Sequence, residues 1–519
     1  MSQTGSVTPQ RRTPLAAALL AAVLVAGGLS ACSSSSAVGS GGVARPTPPA
    51  TSSPRPTGSG AAEPGTLSAF TSCGGGFTCG TLTVPLDPAM PQLGTVALAL
   101  TRHRATSDRR IGSLLVNPGG PGASAVDFLH DAYTAIPAAV RARFDLVAFD
   151  PRGVGRTAPV RCESTAELDR YFHLDPAPTS AAGVAAIDAG NRALARGCSQ
   201  RSGRILPYVS TRIVAQDMDR VRAALGDPKL TYLGYSYGTS IGASYLEQFP
   251  THVRAMVLDG ALDPTLTWDQ LLAGQSRGFD VALTAFLADC ERTRCAFRTA
   301  VQGDLTKAFD ALAASVGSRP LTGDATRTVG PGEFSLGVAA GLYSRAYGWP
   351  AIAAALAAAT NGQGSPLLAL SDSYLERTDK GYANVDEANF AVHCVDRPWP
   401  RTIAPCVALA QRVGKDYPRF GPAIALSGLG CAVWPVPPVS TPHPVVAKGS
   451  PPIVVIGTTR DPATPYVWAQ GLARQLADGV LLTHVGDGHT AYRSSAPACL
   501  TGPVDAYLIS GKAPRPLTC

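Results

Sequence analysis

Residues 231–238 read TYLGYSYG. The first four make a brief apolar run of strand character, and residues 239–249 beyond them are helical in pattern. Gly234-Tyr235-Ser236-Tyr237-Gly238 therefore sits between a strand and a helix, the context in which a serine is held on a sharp, strained turn. Glycines two residues to either side let strand and helix approach closely. The serine between them stands at the edge of the sheet, so Ser236 is the candidate nucleophile. The same spacing outside that context would be a glycine-rich turn and no more.

Working outward, further brief apolar runs appear at 113–117 (SLLVN), 144–149 (FDLVAF), 254–258 (RAMVL) and 452–456 (PIVVI). They do not alternate with polar residues, and helix-length segments separate several of them. Such strands belong to a parallel sheet covered on both faces. Residues 214–225 carry Val214, Met218, Val221 and Leu225 at helical spacing and predict a covering helix before the central strand. Two more β-like runs, 81–86 and 95–101, precede this rhythm. Between about 261 and 440 the strands stop, and Ala-rich helical segments (279–290, 305–316, 349–360) take over. A helical insertion between two strands of one sheet is expected to cap the C-terminal sheet edge, where open α/β sheets bind ligands.

A serine hydroxyl needs a base, and the base needs a carboxylate to orient it. In this architecture the chain order is serine, acid, histidine. His489, in the small-residue loop 486–490 (GDGHT), is the expected base; His484 reads as a packed strand residue, and His443 lies in a Pro-rich approach. Asp461 follows the strand 452–456 in TTRDPATP, where Pro462 and Pro465 stiffen the loop, and is the expected acid. Asp259, at the end of 254–258, is the rival, and Asp487 is too near His489 in sequence to be favoured. Residues 117–122 (NPGGPG) follow the strand 113–116, where backbone donors for an oxyanion belong. Gly120 and the N–H of Tyr237 are the expected donors, with Gly119 an alternative. The loop lacks a lysine and its prolines remove donors, so it is no phosphate cradle. Residues 150–155 (DPRGVG) read as a structural turn.

The N-terminus has Arg11 and Arg12, an apolar stretch over 15–25, and then Leu29-Ser30-Ala31-Cys32. This is the form of a secretory leader rather than a spanning helix. Leu-Ser-Ala-Cys also resembles a lipobox, which makes Cys32 the expected lipidated residue and the membrane surface an expected partner. Residues 32–66 are Ser, Gly, Pro and Thr with few large apolar side chains and read as a tether. The expected organisation is leader 1–31, tether 32–66, first core segment 67–262, helical cap 263–440 and second core segment 441–519. Eleven of the twelve cysteines lie beyond Cys32, in an exported and oxidising setting. Short spacings suggest Cys73–Cys79 and Cys290–Cys295, and Cys162–Cys198 and Cys499–Cys519 are candidates for longer loops. Cys394, Cys406 and Cys431 leave one odd thiol. No Cys-x-x-Cys occurs, so neither a metal site nor a cofactor is expected. The net charge of +7 is small for 519 residues and no Lys/Arg run is dense, which argues against nucleic acid.

NPGGPG, FDPRGVG, LTYLGYSYGTSIG, TRDPATP and GDGHT, in this order, resemble the actinobacterial tripeptidyl aminopeptidases and the related mycobacterial cell-envelope serine proteases. The group is similar to proline iminopeptidases, although Asn117 stands where those carry His. The resemblance spans about 67–519. It implies an α/β-hydrolase fold with a mostly parallel sheet and a large helical cap inserted before the last strands. It also implies Ser236, Asp461 and His489 as nucleophile, acid and base. The implied activity is release of short peptides, tripeptides foremost, from free N-termini, with some esterase activity or limited endoproteolysis; a non-catalytic binding lipoprotein is the contrasting class. An aminopeptidase needs a carboxylate for the substrate ammonium. The cap offers Asp372, Glu376, Asp386, Glu387 and Asp396, of which Asp396 is favoured.

Overall fold

The computed structural model describes residues 65–519. The expected leader, Cys32 and nearly all of the tether lie outside them. Among the described residues no helix is long and apolar enough to cross a membrane.

One ten-stranded sheet organises the chain. Its strands are β1 (Thr71–Gly74), β2 (Phe77–Pro85), β3 (Thr95–His103), β4 (Gly112–Asn117), β5 (Phe144–Phe149), β6 (Leu230–Tyr235), β7 (Val253–Asp259), β8 (Ile453–Arg460), β9 (Gly479–Asp487) and β10 (Leu517–Thr518). Their spatial order is β1-β2-β3-β5-β4-β6-β7-β8-β9-β10. β1, β2, β3 and β5 pair antiparallel; from β5 onward every pairing is parallel. β4, β5 and β6 are buried along their whole length, as unalternating apolar runs require. The expected covering helix is Thr211–Ala224, and it packs against the helix Gly238–Gln248 that leaves the nucleophile turn.

β7 and β8 are neighbours in space, with Val257 opposite Val454, yet a long helical insertion separates them in sequence. This is an α/β-hydrolase fold with its insertion before the last strands. The insertion has its own apolar core around Phe286, Phe334 and Leu356. Its longest helix, Trp268–Thr293, is set at Gly278 against the loop that follows β8, where a Cβ would lie 2.3 Å from the Pro462 carbonyl oxygen.

The 150–155 turn is structural. Arg152 is fully buried and forms a two-point pair with Asp217, at 2.6 and 2.9 Å, and also donates to the carbonyls of Leu86 and Pro85. Removing one partner leaves the other charge buried and uncompensated. Arg152→Met is expected to lower stability by about 3–5 kcal/mol, read from the midpoint of urea unfolding.

All four expected disulfides are present, and Cys394–Cys431 is the fifth. Cys406 is the odd thiol, buried in the insertion.

Candidate active site

Ser236 directly follows β6 with φ of 54°, a left-handed backbone that a side chain adopts only under constraint. Three hydrogen bonds impose it. The Ser236 N–H donates to the Asp259 carbonyl at 2.8 Å, and its own carbonyl accepts the N–H and hydroxyl of Thr239 at 2.9 and 2.6 Å. Both flanking glycines are required by contact. A Cβ on Gly234 would fall 2.6 Å from the Gly238 carbonyl oxygen, and one on Gly238 would fall 2.8 Å from that of Asn117.

The two C-terminal strands bring the expected acid and base together. Asp461, just beyond β8, is buried; its Oδ1 accepts the N–H groups of Ala463 and Thr464 at 2.9 and 2.8 Å. His489, two residues beyond β9, places Nδ1 at 2.9 Å from each Asp461 carboxylate oxygen. This contact fixes Nδ1 as the protonated nitrogen and leaves Nε2 as the acceptor. Nε2 is buried and has no partner among the described residues. The Thr464 hydroxyl stands 3.3 Å from Nδ1. The insertion also grips this loop: the His489 N–H donates to the Tyr343 carbonyl at 2.9 Å, and the Tyr343 ring meets the imidazole edge-on at 5.2 Å.

The other candidates lie elsewhere. Asp259 is fully buried beneath the histidine loop and accepts the N–H groups of Ala491 and Tyr492, at 2.9 and 2.7 Å. Burial pushes its carboxyl up to about 6. Asp487 is held by Arg460 and Arg345. His484 is half-buried in β9, and His443 is paired with Glu247.

The 117–122 loop packs directly on the nucleophile turn. A Cβ on Gly119 would sit 2.7 Å from the Tyr237 nitrogen and 2.9 Å from the Ser236 Cβ. The Gly119 N–H is taken by Asn117 Oδ1 at 2.9 Å. The N–H groups of Gly120 and Tyr237 have no partner among the described residues, and both residues line the same cavity as Ser236.

The sequence has counterparts among known proteins. Residues 417–519 match the family described as TAP-like protein. Serine protease Hip1 of Mycobacterium tuberculosis is 40% identical over 457 residues, which is 85% of this chain and 86% of the relative. The chain belongs to the family of Hip1 and the tripeptidyl aminopeptidases. Carboxylesterase B of the same organism is 38% identical over 444 residues (84% and 85% of the two chains). The tripeptidyl aminopeptidase of Streptomyces lividans is 34% identical over 457 residues (85% and 83%). Membership makes this chain a serine hydrolase of the α/β-hydrolase type. Protease, esterase and aminopeptidase names all occur among these relatives, so the substrate has to be sought in the cavity.

That cavity, of about 380 Å³, lies between the sheet edge and the insertion. Much of its wall is apolar, including Leu271, Phe279, Phe420 and Ile424. Tyr171, Phe172, Ile187 and Asn191 also contribute. These come from the β5–β6 connection, with its helix Ala181–Ser202, and not from the main insertion. The sequence reading did not assign that segment to the binding wall.

The five acidic candidates of the cap separate cleanly. Asp372 is paired with Arg327, and Glu387 accepts the N–H groups of Cys162 and Glu163. Asp396, the favoured one, is corrected. It does not line the cavity; its carboxylate accepts the N–H of Thr211 at 2.8 Å and the Thr211 hydroxyl, which also contacts the Tyr237 hydroxyl. It reaches Tyr237, the residue after Ser236, through the Thr211 hydroxyl. Only Asp386 of the five lines the cavity.

Proposed function

We propose that this chain is an exported serine peptidase that releases short peptides, tripeptides foremost, from free N-termini through an acyl-enzyme. Ser236 attacks the scissile carbonyl while His489 Nε2 takes its proton. Asp461 holds the imidazole in the required tautomer and stabilises the imidazolium that forms. The N–H groups of Gly120 and Tyr237 receive the charge that develops on the carbonyl oxygen. His489 then returns the proton to the leaving amine, and water repeats the sequence on the acyl-enzyme.

The observations that support this reading are the Asp461–His489 couple, whose Nε2 is left without a partner among the described residues, and a left-handed Ser236 whose cavity also holds the Asp386 carboxylate. The names of the relatives support peptidase chemistry. Lipidation at Cys32, after a leader over 1–31, and a tether over 32–66 would hold the catalytic body at the outer membrane surface. The core segments 67–262 and 441–519 and the cap 263–440 remain the proposed division of that body.

The test offers purified protein an unblocked tripeptide amide, its N-acetyl form and a short-chain ester. Faster release from the unblocked peptide is the expected result. Equal turnover of the blocked peptide would point to endoproteolysis. The apolar wall and the carboxylesterase relative favour esterase action as the second reading, which hydrolysis of the ester alone would establish.

A further inference from the structure

One helix of the insertion, Val385–Asp396, bears on both arms of the oxyanion site. Its first turns are seated on the 117–122 loop. A Cβ on Gly122 would fall 2.1 Å from the Val385 carbonyl oxygen, and the Asn389 side chain donates to the Pro121 carbonyl at 3.1 Å. Gly120, the donor on this side, directly precedes those two residues. The last residue of the helix, Asp396, reaches the donor on the other side, Tyr237, through the Thr211 hydroxyl. The disulfide Cys394–Cys431 ties down that end of the helix.

The second of these links is a directional chain of hydrogen bonds. Burial raises the Asp396 carboxyl to about 6, so at neutral pH the group is ionised and can only accept. It takes the Thr211 N–H at 2.8 Å and the Thr211 hydroxyl. The Thr211 oxygen is then left to accept from its other contact, the Tyr237 hydroxyl. Thr211 opens the helix Thr211–Ala224, so the carboxylate also answers a backbone donor of that helix's first turn and the positive end of its dipole. Tyr237 is buried, and its nitrogen is packed against Gly119. Held at its hydroxyl and at its backbone, it has little freedom to turn its N–H away from the cavity.

Resting on the assignment of the Gly120 and Tyr237 N–H groups as oxyanion donors, we infer that this helix of the insertion sets the spacing between them, with Asp396 and Thr211 as positioning residues. The nucleophile itself is fixed from within the core, through Asp259 and Thr239. The donors are fixed in part by the insertion, because each is tied to one end of the same helix. A misplacement of about 1 Å is costly at a reacting centre, and donors aimed at a developing oxyanion act in the transition state. Breaking the chain therefore alters how the site treats the reacting atom and leaves substrate affinity nearly unchanged.

The experiment compares a short-chain nitrophenyl ester with its thionoester, in which sulfur replaces the carbonyl oxygen. Sulfur is larger and a weaker acceptor, so the ratio of the two kcat/KM values, normalised to the same ratio for hydroxide in solution, reports on the donors. It is measured in wild type, Asp396→Asn, Thr211→Val and Thr211→Ser, per active site titrated with a serine-directed phosphonate. Wild type is expected to favour the ester by about a hundredfold or more. An asparagine that still accepts the Thr211 N–H turns its own N–H₂ toward the Thr211 oxygen and reverses the chain, which leaves the Tyr237 hydroxyl without an acceptor; valine removes the link outright. Both should reduce the ratio at least about tenfold with KM little changed, whereas Thr211→Ser should keep it. A large wild-type ratio that persists in Asp396→Asn and Thr211→Val overturns the positioning role, even where both variants are less stable, and leaves the two donors standing. A wild-type ratio near one overturns the donors themselves, and the positioning role with them.

Discussion

Replacing Ser236 by alanine is expected to lower kcat on an unblocked tripeptide amide by about a millionfold and to abolish labelling by a serine-directed phosphonate. The loss is large because the hydroxyl opens the acyl-enzyme route, and neither the imidazole nor the oxyanion donors can replace it. Residual turnover should still exceed that in water by about a thousandfold, since binding and the Gly120 and Tyr237 donors survive. Backbone strain supplies an independent check on the turn. Alanine at position 236 keeps the Cβ, and with it the cost of a φ of 54°, whereas glycine removes it. Ser236→Gly should therefore be more stable than Ser236→Ala by about 1–2 kcal/mol in urea unfolding. Full activity in Ser236→Ala would remove the nucleophile from this account, and equal stability of the two variants would remove the strain.

How far the sequence could be read depended on whether the signal was local. β4 to β8 are recognisable because strands buried on both faces must be short and apolar, and FDLVAF coincides with β5 residue for residue. The nucleophile turn is local too, since glycines at 234 and 238 answer contacts made within a few residues of Ser236 or on the adjacent strand. β1 and β10 escaped because an exposed four-residue edge strand and a two-residue strand carry no periodicity. The share of the cavity wall held by the helix Ala181–Ser202 escaped because its residues meet the insertion only in three dimensions. The choice between Asp386 and Asp396 failed for a related reason. They occupy opposite ends of one helix, about 15 Å apart at 1.5 Å per residue, and sequence does not reveal which end abuts the oxyanion loop.

Asp461 and Asp259 are the carboxylates whose roles sequence alone left in competition, and two substitutions separate them. Asp461→Asn should lower kcat by about ten-thousandfold with little change in KM, because an amide turned to accept from the Ala463 and Thr464 N–H groups presents its own N–H₂ toward Nδ1 and favours the wrong tautomer. The position is buried but its neighbours are unchanged in volume, so the melting temperature should move little. Asp259→Asn should behave the other way. It spares the imidazole contact but leaves one of the two acceptors for Ala491 and Tyr492 replaced by a donor, at a cost of about 1–3 kcal/mol. Its effect should also depend on pH with a fixed sign. The folded carboxyl titrates at about 6, against about 3.9 in an unfolded chain. The folded state thus binds the proton more tightly, and Asp259 contributes more stability below about pH 4 than above about pH 6. The gap in melting temperature between wild type and Asp259→Asn should consequently widen as the pH is lowered from about 6 to 4. A ten-thousandfold loss of kcat in Asp259→Asn, with Asp461→Asn nearly active, would transfer the orienting role to the earlier strand.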